Sequence, residues 1–171
     1  MPDETPITER ELRPLKAICI ALPVGATLFA IVAIIIGSSG SPASVSDMQS
    51  EGYLTLRIIH LVITVFVLLL SKFISERILS GTLQQSMLRG MTLSFMTRYK
   101  IAAVVQLALI ELSVLFGIVV FLTASIGGSI RTDLTYYLHL LPLLFFIFQA
   151  RMLYPTEQKL TDLMRLHSAN D

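Results

Sequence analysis

Four stretches of this chain are each long and apolar enough to form a membrane-crossing helix, and no other feature constrains the fold as tightly. A helix rises about 1.5 Å per residue, so about 20 residues cross a hydrocarbon core roughly 30 Å thick. The stretches run approximately from Lys16 to Gly37, Thr55 to Ile78, Lys100 to Ser125 and Leu134 to Tyr154. They predict an all-α fold, an integral membrane four-helix bundle forming a single membrane domain over 1–171, with a linker at 79–99 and a tail at 155–171. Composition agrees. Only 15% of residues are charged, against about a quarter in soluble domains, and the mean hydropathy is +0.73. That excludes a water-soluble globular enzyme. A formal charge of +1 gives no basic field for nucleic acid. The single cysteine, Cys19, can make neither an intramolecular disulfide nor a zinc or iron–sulfur ligand set.

The polar segments SSGSPASVSD and SIGGSIRTD have the Gly, Ser, Pro and Asp content of turns. Cytoplasmic loops hold the excess of Lys and Arg. Arg10, Arg13 and Lys16 precede the first span, Lys72, Arg77, Arg89, Arg98 and Lys100 lie between the second and third, and Arg151, Lys159 and Arg165 follow the fourth. Only Arg57 and Arg131 fall on the other side. Both termini are therefore expected in the cytoplasm, in a multi-pass protein of the inner (cytoplasmic) membrane. Tyr99 and Tyr154 fit the inner interface and Tyr53, Tyr136 and Tyr137 the outer one, where amphipathic rings settle. A cleaved signal peptide is the competing reading of the first span, since small residues such as Ala43 follow it. Its apolar run exceeds an h-region of about 7–15 residues and the start, MPDETP, is acidic, so the span is read as retained.

An internal repeat is expected. A shift of 87 residues puts Leu28, Phe29, Ile31 and Val32 on Leu115, Phe116, Ile118 and Val119. A shift of 79 puts His60-Leu61 on His139-Leu140 and Lys72 on Arg151, which reads as a duplicated helical hairpin. Chance matching between apolar segments is the alternative. Small residues at Ala17, Ala21, Gly25, Ala102, Ala103 and Gly117 would let helices approach closely. Pro23 should kink the first span. In the linker, Leu83, Met87, Met91 and Phe95, with Leu88 and Met96 close by, describe either an amphipathic segment on the membrane or an extension of the flanking helices. Pro155 and Thr156 punctuate the end of the fourth span. Leu160, Leu163, Met164 and Leu166 then predict a short tail helix that lies on the membrane or docks to the linker.

Glu111 is the residue that the bilayer makes expensive. It lies eleven residues past Lys100, roughly 17 Å along the helix and near the midplane. An ionised carboxylate there costs at least about 2.5 kcal/mol, so it must be protonated, paired or in contact with water. Its candidate hydrogen-bonding partners are Gln106, Ser113 and groups on neighbouring helices. The readings are an ion-binding carboxyl or a neutral one bonded between helices. His60 and His139 sit at matching depth and could ligate haem or a metal, or be interfacial histidines bonded to water or loop backbone. Lys72 and Glu76, spaced i, i+4, should pair locally, while Lys72 and Arg151 anchor in the headgroups with Tyr99 and Tyr154. No phosphate loop, GxSxG, kinase or dinucleotide motif occurs, which speaks against an enzyme, and no cofactor is expected.

The third span, LALIELSVLFGIVVFLT, resembles the carboxylate helix of the proteolipid subunit c of rotary ATP synthases, ALVEAxxIYGxVVAxLL. That resemblance implies that Glu111 stands at the ion-binding carboxylate and that Phe116 and Gly117 match its Tyr-Gly pair, with proton or sodium handling as the activity. It departs from subunit c in a second span without glycine and a linker without Arg-Gln-Pro. The two-hairpin layout, the LALIE segment and the closing YPTEQKL are also similar to a group of uncharacterised bacterial four-helix membrane proteins. That likeness implies the fold and no activity. The expectation is a non-enzymatic structural or accessory subunit, with ion handling at Glu111, or haem or metal binding at the two histidines, as alternatives. Its expected partners are the lipid bilayer and either further copies or another subunit of a membrane complex.

Overall fold

The computed structural model describes residues 9–39, 47–80, 95–127 and 133–168. Its elements are α1 (Glu9–Ser39), α2 (Asp47–Leu79), α3 (Phe95–Ile126), a 3₁₀ segment (Leu134–Leu140) running directly into α4 (Leu141–Leu153), and α5 (Glu157–Ser168). The fold is all-α. Four spans, with the 3₁₀ segment and α4 together as the last, are long and apolar enough to cross a membrane, the layout of a multi-pass membrane protein. The helices α1 to α3 start or end several residues beyond the apolar stretches, because their polar turns continue past hydrocarbon depth. The linker stripe through Leu83, Leu88 and Met91 lies outside the described residues.

More of α3 is buried than of any other span, and it touches α1, α2, the 3₁₀ segment and α4. It is apolar on all sides, as a central helix must be. Against it α1 lays a seam of Ala26, Ala30, Ala33 and Gly37, spaced like the inner positions of a coiled coil. At Gly37 a Cβ would stand 2.6 Å from Ser125 Oγ, so the closest approach of α1 and α3 depends on that glycine. Ala17, Ala21 and Gly25 instead face away from the bundle: all three are exposed, and a Cβ on Gly25 would meet nothing within 4 Å. Both stripes have helical spacing, and only the contact with α3 distinguishes them. Through Pro23, α1 continues as one helix, and Thr27 Oγ1 donates to the Pro23 carbonyl at 2.7 Å.

The last span departs from the helix that a duplicated hairpin predicts. Pro142 stands in the first turn of α4 and has no N–H to donate to the preceding turn, so the chain before it winds as 3₁₀. A 3₁₀ residue rises about 2.0 Å, which carries these twenty residues across about 33 Å instead of about 30 Å. His60 lies in continuous α-helix, whereas His139, its counterpart, lies on the 3₁₀ turn.

The base of the bundle is tied by Tyr99, whose hydroxyl donates to Leu153 O at 3.1 Å. Tyr99 is buried, so it pins α3 to α4 instead of settling among headgroups. Tyr154 is half-buried. The tail docks on the bundle: Leu160 is buried in one cluster with Leu12, Leu15 and Tyr99. Lys72 and Glu76 are both exposed and do not pair with each other, and Arg77 lies over the Phe73 ring at 5.1 Å. An exposed i, i+4 pair gains too little to hold two long side chains together.

Candidate functional site

Along α2 the inward face carries polar residues, Arg57, His60 and Thr64 at i, i+3 and i+7, then Ser71 and Ser75, with the buried Val67 among them. The 3₁₀ segment answers with Asp133 as its N-cap, then Thr135, Tyr136 and His139. These two elements and the Ser113 turn of α3 enclose a hydrogen-bonded polar axis.

At its centre His60 Nδ1 lies 2.6 Å from His139 Nδ1, with His60 1% and His139 4% exposed. The proton positions follow from the partners. His60 Nε2 faces Ser113 O at 3.2 Å, and a carbonyl only accepts, so this nitrogen carries the hydrogen. With His60 neutral, its Nδ1 is then a bare acceptor and His139 Nδ1 the donor. Thr64 Oγ1 is 3.2 Å from His60 Nε2 and 2.8 Å from the buried Ser113 hydroxyl. Phe116 packs edge-on against the His60 ring at 5.5 Å. Gly117 makes this closeness possible: a Cβ there would stand 2.8 Å from His60 Nε2 and would also strike the His139 carbonyl.

The axis ends at the surface in a charged cap. Arg57 donates to Asp133 Oδ2 at 2.6 Å and to Thr135 Oγ1 at 2.5 Å, and its guanidinium stacks 4.9 Å from the Tyr136 ring. Asp133 Oδ1 accepts from the Thr135 amide at 2.9 Å and from its hydroxyl at 2.5 Å. These Thr135 bonds, with Arg57 in support, hold the Asp133 carboxyl below the ordinary aspartate range. Arg57, Thr64, Asp133 and Thr135 were not expected at a site. Their signal in the sequence is an Asp-x-Thr cap that begins six residues before His139 and one of the two cations on that side of the chain, three residues before His60.

The structure thus brings the two predicted histidines together, buried and in a direct hydrogen bond, not as exposed interfacial rings. A metal with bonds of about 2.0–2.1 Å would hold tetrahedral ligand nitrogens about 3.3 Å apart and trans ligands about 4 Å apart. Neither fits between the facing nitrogens at 2.6 Å. Among the described residues no three His, Cys, Asp or Glu side chains converge.

Glu111 is separate from this axis. Its neighbours in sequence do not serve it: Ser113 is committed to Thr64, and Gln106 and Ser113 both stand roughly 140–160° around α3 from Glu111 at 100° per residue. The carboxyl is half-buried, flanked by the exposed Leu112, and has no hydrogen-bond or ion-pair partner among the described residues. Arg151 is exposed at the foot of α4.

No protein-family model, curated protein or solved structure matches the chain. The likeness of α3 to a proteolipid helix rests on its residues alone.

Proposed function

We propose that this chain is a non-enzymatic integral membrane protein of the cytoplasmic membrane, with both termini inside, acting as a four-helix structural or accessory subunit. The observation that carries this reading is the polar axis. His60, His139, Thr64 and Ser113 spend their hydrogen bonds on one another and on backbone. A buried network bonded in this way favours one packing of the helices. It works as a clasp between α2 and the last span. Cross-linking in native membranes followed by affinity purification tests the reading. A stoichiometric membrane partner or a defined homo-oligomer supports it, and a solitary monomer overturns it. Protease protection of tagged termini tests the orientation.

Glu111 favours a second reading, proton or sodium handling in the manner of a proteolipid subunit. A half-buried mid-span carboxyl with no described partner is a group that an ion or a neighbouring subunit can address. Carbodiimide should then label Glu111 selectively, with sodium or alkaline pH protecting it. An inert Glu111 in folded protein removes that reading.

A further inference from the structure

At the base of the bundle, α1, the foot of α4 and the start of α5 border a groove of about 710 Å³, within the size range of small-molecule sites. Its shaft is apolar, formed by Ile20 and Val24 of α1 and Ile147 of α4, each with two-fifths or more of its surface exposed, so it opens sideways. Its mouth is polar, formed by Arg151, Thr156 and Lys159. Ile147 lies six residues before the end of α4, so the shaft extends about 9 Å into hydrocarbon from a mouth at the boundary.

The mouth carries two cations and, among the described residues, no carboxylate pairs with either of them. The Lys159 ammonium is held in place by donating to Met152 O, one of the last-turn carbonyls of α4 that the helix leaves without a partner. Partial burial lowers Lys159 from its ordinary range, opposed by the nearby Cys19 thiol, and an anion beside it would act in the raising direction. A cationic mouth at the boundary over an apolar shaft open to hydrocarbon complements an amphiphile with an anionic head.

We infer that this groove is a binding site for an anionic phospholipid, its phosphate between Arg151 and Lys159 and the upper part of one acyl chain along Ile20, Val24 and Ile147. The inference rests on the membrane reading above, and each has its own failure. A chain that does not fractionate with membranes removes both, whereas a membrane-extracted chain that ignores lipid charge removes only this one.

The test is native mass spectrometry of the full chain in micelles, with phosphatidylglycerol and phosphatidylcholine of identical acyl chains. One phosphatidylglycerol should be retained in preference to phosphatidylcholine, and glycerol phosphate, which has the head but no chains, should not be retained. Arg151→Gln with Lys159→Gln should weaken retention roughly 25-fold, two cations at a factor of about 5 each. Val24→Trp fills the shaft from an exposed position with the charges intact and should also weaken it. Circular dichroism establishes that each variant is folded. Equal retention of the two lipids, retention unchanged by both variants, or binding of glycerol phosphate as tight as that of the lipid overturns the inference.

Discussion

Replacing one histidine of the clasp should cost more than replacing both would suggest. Leucine is close to histidine in volume, so His60→Leu tests the hydrogen bond with little cavity. It leaves His139 Nδ1–H with no acceptor in a site where the ring is only 4% exposed. A buried donor left unpaired costs about 1–3 kcal/mol. His139→Leu strands the His60 Nδ1 lone pair with the same consequence. The double variant removes both polar groups, so its cost should fall short of the sum of the singles by about 1–2 kcal/mol. Coupling across membrane helices averages about 0.6 kcal/mol, because the unfolded helices find other partners in the bilayer. The expected value lies above that average because the 2.6 Å contact is closed on its sides by Phe116 and Gly117. Reversible unfolding in mixed micelles, followed by far-ultraviolet circular dichroism, measures all four proteins. Additivity within about 0.3–0.5 kcal/mol would mean that the rings do not touch, and the clasp would be abandoned.

Gly117→Ala should destabilise the fold by about 1–3 kcal/mol, because its Cβ meets His60 and the His139 backbone, while Gly25→Ala, in open space, should be neutral or stabilise by up to about 1 kcal/mol. The same unfolding assay compares them. Asp133 gives a pH dependence: its carboxyl is lowered by Thr135 and Arg57, so its contribution is present above the unfolded value of about 4 and is lost as pH falls through the folded one. A stability titration in acid should show this loss in the parent and not in Asp133→Asn. Lys72→Ala and Glu76→Ala should add without coupling in a double-mutant cycle, since the two side chains are exposed and apart. Glu111→Gln should change stability by less than about 0.5 kcal/mol, because no described group bonds the carboxyl.

Depth was legible in the sequence and azimuth was not. Span length and mean hydropathy report how far a residue lies from the ends of an apolar helix, which set out the four long apolar helices and the matched level of His60 and His139. Which side of a helix meets a neighbour is a property of the neighbour. Ala17, Ala21 and Gly25 recur at helical spacing just as Ala26, Ala30 and Ala33 do, yet only the second set lies on α3. Gln106 and Ser113 are near Glu111 in number but about 140–160° from it around the helix. The histidines were placed at a wet interface because they lie toward the ends of their spans. Thr64, Ser113 and the Arg57 cap close over them only once α2 and the 3₁₀ turn are packed together. The 3₁₀ turn itself had a visible cause in Pro142, which the comparison of the two hairpins passed over.

The two polar features of the bundle therefore have opposite characters, and that contrast bears on function more than either does alone. The histidine axis is turned inward, because His60 is bonded to His139, Thr64 and the Ser113 carbonyl and both rings are buried. Such a network contributes specificity of packing, and its loss would be felt by the fold. Glu111 is open, because α3 carries it on a flank where no described side chain of this chain answers it. At mid-membrane depth an unanswered carboxyl raises the free energy of the isolated chain, and a partner that offers a donor or a cation there would recover that cost. On the proposed reading a partner would meet the bundle on the Glu111 flank, which is why cross-linking in the native membrane, and not an activity screen, is the experiment that decides between an accessory subunit and a free-standing protein.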